Sequence, residues 1–77
     1  MFMDSSEVFK KVGQNGEVYL HDKQESCVLK CFNDKGIVGV MYKKKGGKAY
    51  RVDVKDAEIY DIMQESEEVS KDFYDKF

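Results

Sequence analysis

Between residues 17 and 55 the chain alternates short strand-forming runs with glycine-bearing turns, and this punctuation restricts the fold more than any other feature. "EVYLH" (17–21) reads as a strand with Val18 and Leu20 on one face. "SCVLKCFN" (26–33) is a second strand, rich in strand formers. "NDKG" (33–36) is a turn in which Gly36 is free to take positive φ. "IVGVMYKK" (37–44) is a third strand, and Gly39 in its middle points to a bulge or a close backbone approach. In "KKGGK" the pair Gly46–Gly47 predicts a two-residue hairpin loop, because primed turns need positive φ. "KAYRVDVK" (48–55) follows with the cleanest alternation: Tyr50, Val52 and Val54 on one face, Arg51, Asp53 and Lys55 on the other. Strands joined by turns this short pair as neighbours, which gives an antiparallel meander.

The two ends read as helical. In "DSSEVFKKVG", Asp4 and Glu7 have the spacing of a capping box. Val8, Phe9 and Val12 share a face, and Gly13 is placed to end the helix. The tail from residue 56 has two readings. One is a single long helix carrying Ile59, Ile62, Met63, Val69, Phe73 and Phe77 as its stripe. The other treats the polar run "QESEE" as a break, with a fifth strand at 57–63 after a tight turn at Lys55–Asp56, then a helix capped by Ser66. The break tips the balance slightly toward the second. The fold class is therefore α+β: a short N-terminal helix, an antiparallel meander of four or five strands, and a C-terminal helix. Five strands could curl into a small barrel of the Sm-like or SH3-like kind, a matter of topology alone, since no family motif is present.

At 77 residues the chain is one small domain, 1–77. A domain this short buries little surface and is marginal alone, so self-association into a homo-oligomer is expected. No apolar run reaches the ~18 residues of a membrane span, and none near the N-terminus resembles an export signal. The expected location is the cytoplasm, without membrane contact. Cys27 and Cys31, four apart on a strand, are ~13 Å from each other, too far for a disulfide, and read as reduced, half-buried thiols. With His21 as the only histidine, neither a zinc set nor any other metal or cofactor is expected.

Charge is segregated along the chain. Residues 10–55 hold 11 basic and 5 acidic side chains, a balance of +6, while residues 56–77 hold 2 and 8, a balance of −6. The basic part peaks in "MYKKKGGKAYRVDV" (41–54). Lysines around two glycines can hold an anion by charge while backbone N–H groups approach it. Tyr42, Lys43, Lys44, Lys45, Lys48, Tyr50 and Arg51 are thus the candidate ligand-binding residues, for a nucleotide, a cyclic nucleotide or single-stranded RNA, with a tyrosine ring stacking on a base. The plainer reading is that the lysines keep a hairpin edge from aggregating.

Nothing in the chain builds a catalytic constellation. His21 and Asp22 are adjacent on a strand and face opposite ways, so one cannot orient the other. The tail acids read as a solvated helix face. "GQNG" has the letters of a KH-type GxxG clamp, but a strand follows where that clamp needs a helix. The function expected is therefore non-catalytic binding. An alternative places the contact in the tail, where Glu67, Glu68, Asp72, Phe73, Tyr74 and Phe77 would bind a host protein in the manner of a phage- or mobile-element-type inhibitor or adaptor. A third reading has the tail helix pack on its own sheet through Val69, Phe73 and Phe77, leaving Tyr74 and the acids outside.

Overall fold

The computed structural model describes residues 5–77. Helix α1 (Ser5–Asn15) leads into a four-strand meander of β1 (Glu17–Asp22), β2 (Cys27–Asp34), β3 (Ile37–Lys44) and β4 (Tyr50–Val52). Helix α2 (Ala57–Glu65) then carries the chain back across the sheet, β5 (Glu67–Val69) pairs antiparallel with β1, and helix α3 (Lys71–Lys76) follows. The strand order is β4-β3-β2-β1-β5. The sheet does not close into a barrel: β4 and β5 are its two edges.

The β2–β3 hairpin is the longest pairing, running from Cys27↔Lys44 to Asp34↔Ile37. Its tight turn puts both Lys35 (φ 53°) and Gly36 (φ 90°) in the left-handed region, the primed geometry that matches strand twist, and the Asn33 side chain accepts from the Gly36 N–H at 3.0 Å. Gly39 has a packing role. The Phe32 ring lies across it, and a Cβ at that position would meet ring carbons at 2.5–2.9 Å. Of the two roles glycine suggested there, the close approach is the one found.

Several boundaries differ from the sequence reading, each for a local reason. Helix α1 continues through Gly13 and stops at Gly16, which takes φ +87° and donates its N–H to the Val12 carbonyl at 2.9 Å. Asp4 lies outside the described residues. The segment 57–63 is helix, not strand: the Asp56 carboxylate accepts from the Glu58 N–H at 2.9 Å, and Ile59, Ile62 and Met63 are buried at i, i+3, i+4. The fifth strand exists, but it begins inside the polar run, at Glu67. Ser66 caps the C-terminus of α2, with its hydroxyl donating to the Ile62 carbonyl at 2.6 Å, and Ser70 is the residue that caps α3. The Gly46–Gly47 tip is not a two-residue loop. The tip's N–H groups bond elsewhere than the β3–β4 ladder, so the connection spans 45–49 and β4 is only three residues long.

Each face of the sheet has its own cover. On the first face Val18, Leu20, Cys27, Leu29, Cys31, Val40 and Tyr42 pack against Val8 and Val12 of α1 and Ile59, Ile62 and Met63 of α2. On the second, Tyr19 and Val28 pack under Tyr74 of α3, with Val69 and Phe77 beside them. Strand β1 lies beneath both covers, so Val18, Tyr19 and Leu20 are buried in succession. No helix among the described residues is long and apolar enough to cross a membrane.

Candidate anion-binding groove

Three parts of the chain meet at the end of the sheet where β1 gives way to β2. The first is the β1–β2 turn, ending at Ser26 with φ 50°. The second is the tip of the β3–β4 connection, where Lys45 donates its N–H to the Ser26 carbonyl at 3.4 Å. The third is the end of α3, where the Phe77 carbonyl accepts from the Gly46 N–H at 3.2 Å. Gly46 reaches that carbonyl with φ +76°, a conformation that disfavours other residues. Lys43 completes the junction. Its ammonium donates to the Tyr74 carbonyl at 2.8 Å and the Asp75 carbonyl at 3.4 Å, and it sits 5.0 Å from the Tyr74 ring centroid. A cation on the last carbonyls of a helix satisfies acceptors that have no partner within it.

Between these parts runs an open groove of about 690 Å³ lined by His21, Lys23, Ser26, Lys45, Ser70, Asp72, Phe73, Lys76 and Phe77. Its floor is aromatic. The His21 ring is 4.9 Å from Phe73 and 5.3 Å from Phe77, and the two phenylalanines are 5.9 Å apart. Its rim is basic. Lys23, Lys45 and Lys76 face one acid, Asp72, which pairs with Lys76 at 3.2 Å. Lys23 also reaches Glu67 at 3.6 Å. The molecule measures only 30 × 22 × 20 Å, so a surface groove rather than a deep cleft is the space it has to offer.

The residues expected to form the ligand site are distributed over four places. Lys45 lines the groove, and Lys48 is exposed in the tip connection. Lys43 is committed to capping α3. Lys44 lies on the first face with Tyr42 and Tyr50, whose rings are 5.4 Å apart, but their hollow also holds Asp53, Asp56 and Glu58. Tyr42 is buried there, and burial pushes its hydroxyl up to about 12. Arg51 is on the opposite face, paired with Asp34 at 2.9 Å and stacked 5.2 Å from the Phe32 ring.

The tail residues are also divided. Glu67 pairs with Lys23, and Glu68 with Lys11. Tyr74, expected outside, is 8% exposed against Tyr19, whereas Phe73, expected as a core contact, is 41% exposed in the groove. Val69 and Phe77 pack as the sequence reading has them, but Tyr74 takes the buried place against Tyr19 and Val28, and Phe73 turns to the His21 ring at the groove. His21, Lys23, Ser26, Ser70 and Lys76 were not anticipated as site residues. Nothing local to Lys23 or Lys76 marks them, since each is a solvent-facing lysine until α3 is placed.

No protein-family model, curated protein or solved structure matches the chain. The functional reading therefore rests on local chemistry. Among the described residues no group of three or more His, Cys, Asp and Glu side chains is placed to hold a metal ion. Both cysteines are buried and free. Desolvation pushes Cys31 up to about 12; for Cys27 desolvation, reinforced by the negative charge of Asp22, raises it to about 11. Neither supplies a thiolate near neutral pH. His21 and Asp22 lie on opposite faces, His21 under α3 and Asp22 buried at the end of β1.

Proposed function

We propose that the protein is a non-catalytic binding module that captures a small anionic ligand carrying a flat ring, a nucleotide or one residue of single-stranded RNA, in the groove between the basic tip and α3. One observation carries this reading: Lys23, Lys45 and Lys76, from three separate segments, rim a floor made by the rings of His21, Phe73 and Phe77. Ammonium groups around a ring platform match a phosphate attached to a base, with charge holding one part and stacking the other. The site differs from a lysine-rich hairpin acting alone. Lys45 is the contribution of the tip, and Tyr42, Tyr50 and Arg51 have no part in it.

The test is calorimetric titration of AMP, cyclic AMP and a short oligouridylate at two salt concentrations. Affinity should fall with salt as phosphate contacts are screened. Lys45→Ala combined with Lys76→Ala should weaken binding about tenfold or more, and Phe73→Ala should remove about 1–3 kcal/mol of stacking. Tyr50→Ala and Lys48→Ala should bind as the parent does. Equal binding by the parent and the Lys45/Lys76 double variant would sink the proposal. Capture of a host protein through the tail is the weaker reading, because Tyr74 is buried and Glu67 and Glu68 are already paired.

Self-association belongs to the same proposal. Strands β4 and β5 are the two edges of the sheet, so copies can join edge to edge. Native mass spectrometry reads subunit number and retained ligand together. Two free thiols suit a reducing compartment, the cytoplasm.

A further inference from the structure

Beside the basic groove, past His21 and Lys23, lies a smaller and more enclosed pocket of opposite sign. It holds about 360 Å³ and is lined by Asp22, Gln24, Gln64, Glu65 and Glu67 in addition to those two shared residues. Asp22 is 2% exposed. One of its carboxylate oxygens is used by the β1–β2 turn, accepting from the Gln24 N–H at 2.9 Å and, at the limit of hydrogen bonding, from the Glu25 N–H at 3.5 Å. The other, Oδ2, is buried and has no hydrogen-bond partner among the described residues. An orphan oxygen on a buried acidic side chain is expensive, and native proteins rarely leave one unanswered. The ammonium of Lys23 does not answer it, being engaged with Glu67 at 3.6 Å.

The surroundings strengthen the demand for a cation. Glu65 and Glu67 bring two more carboxylates, against the single ammonium of Lys23. Gln64 and Glu65 sit in the last turn of α2, the negative end of the helix, and that turn carries no basic residue to offset it. Yet the acids do not converge as metal ligands would. A group larger than a metal ion, with several N–H donors on one positive centre, spans this arrangement, and the glutamine carbonyls can accept its remaining protons.

We infer that this pocket recognises an organic cation, a primary ammonium or a guanidinium, with Asp22 Oδ2 as its buried acceptor. The chemistry is common to the end of a free polyamine and to a Lys or Arg side chain on a partner protein. It does not depend on the anion-binding reading, since Asp22, Gln64 and Glu65 take no part in the groove.

Amide NMR titration of the full chain tests it, with n-butylammonium and methylguanidinium as probes and n-butanol as the neutral control. The cations should shift Asp22, Gln24, Gln64 and Glu67 saturably, and the alcohol should not. Asp22→Asn keeps a side-chain oxygen, now an amide carbonyl, to accept from the turn and removes the charge. It should fold, melt at a higher temperature than the parent without ligand, and bind the cations at least about tenfold more weakly. Should Asp22→Asn fail to fold, Glu65→Gln with Glu67→Gln, both outside the core, should weaken binding several-fold. Spermidine and an acetylated Gly-Arg-Gly amide then separate the sources: tighter binding of the first assigns a free polyamine, of the second a protein side chain. Absence of saturable shifts, equal shifts with n-butanol, or Asp22→Asn binding like the parent would overturn the inference.

Discussion

The first face of the sheet is closed by aliphatic side chains from two amphipathic helices, and the second by one short helix that brings aromatic rings and borrows a lysine. Among the described residues, twelve buried ones form one continuous cluster on the first. On the second, three buried ones of those described do the work, and α3 is too short to hold itself in place. Its retention depends on Ser70 at one end, accepting from the Phe73 N–H at 3.1 Å, and on Lys43 at the other. A thin cover leaves polar rims exposed, and the groove lined by Lys23, Lys45 and Lys76 lies at its margin, whereas the Asp22 pocket lies at the end of α2. The thick aliphatic cover and the open aromatic groove thus lie on opposite sides of the same five strands.

The largest effects should separate the two sides. Leu29→Ala empties a fully buried site in the first cluster and should remove about 2–5 kcal/mol, enough to unfold much of a domain of this size. Tyr74→Ala removes the ring that stands 5.3 Å from Tyr19 and should release α3 while leaving the sheet intact. Thiol labelling distinguishes the outcomes, because Cys27 and Cys31 lie only under the first cover. Labelling should accelerate strongly in Leu29→Ala and little in Tyr74→Ala. Equal acceleration in both would mean that the two covers form one cooperative unit and that the comparison is false.

A smaller effect probes the part of the second face that α3 leaves open. There the Phe32 ring lies between the backbone of Gly39 and the guanidinium of Arg51. Gly39→Ala places a methyl where ring carbons already stand at 2.5–2.9 Å, so it should lower stability by about 1–3 kcal/mol. Phe32→Ala in the same chain should relieve most of that loss, a coupling that a double-mutant cycle measures. Additive effects would show that Gly39 is needed for its backbone and not for the ring.

Local chemistry accounts for what could be read in advance. The meander was legible because its information is short-range: alternation fixes each strand, and Gly36 needs only its own turn. The nature of 57–63 was legible in principle, since Asp56 before Ala57–Glu58 and the spacing of Ile59, Ile62 and Met63 both announce a helix, but the β-branched residues there resemble a strand. The position of α3 was not legible. Phe73, Tyr74 and Phe77 can each face inward, and the choice is made by Tyr19, Val28 and Lys43, more than thirty residues away in the chain. The groove inherits that dependence, because Lys23 and Lys76 become neighbours of Lys45 only when α3 docks. Asp22 was read correctly as pointing away from His21, yet its burial comes from a turn and a helix end that no local pattern specifies.

The smallest effect at neutral pH is one of titration, and it too should divide by face. An ordinary thiol ionises near 9.0, whereas in the folded protein burial holds Cys31 protonated up to about 12 and, with the charge of Asp22, Cys27 up to about 11. Between those limits the unfolded chain binds fewer protons than the folded one, so raising the pH draws the equilibrium toward unfolding. The contribution of the two neutral thiols is complete below pH 9.0 and is lost as the pH rises through their folded values. Each proton held in this way steepens the decline by up to about 1.4 kcal/mol per pH unit. Denaturant titrations at pH 8, 9 and 10 in the presence of reductant should therefore show stability falling more steeply above pH 9, and Cys31→Ala should flatten that fall even though its cavity lowers stability throughout. Tyr74→Phe, on the second face, removes a hydroxyl that burial also raises, but the ordinary value of that group is 10.0, so its effect should begin a unit later. If Cys31→Ala leaves the slope between pH 9 and 10 unchanged, the first face is wetter than its packing implies, and the contrast between a dry, thickly covered side and a thinly covered one loses its physical basis.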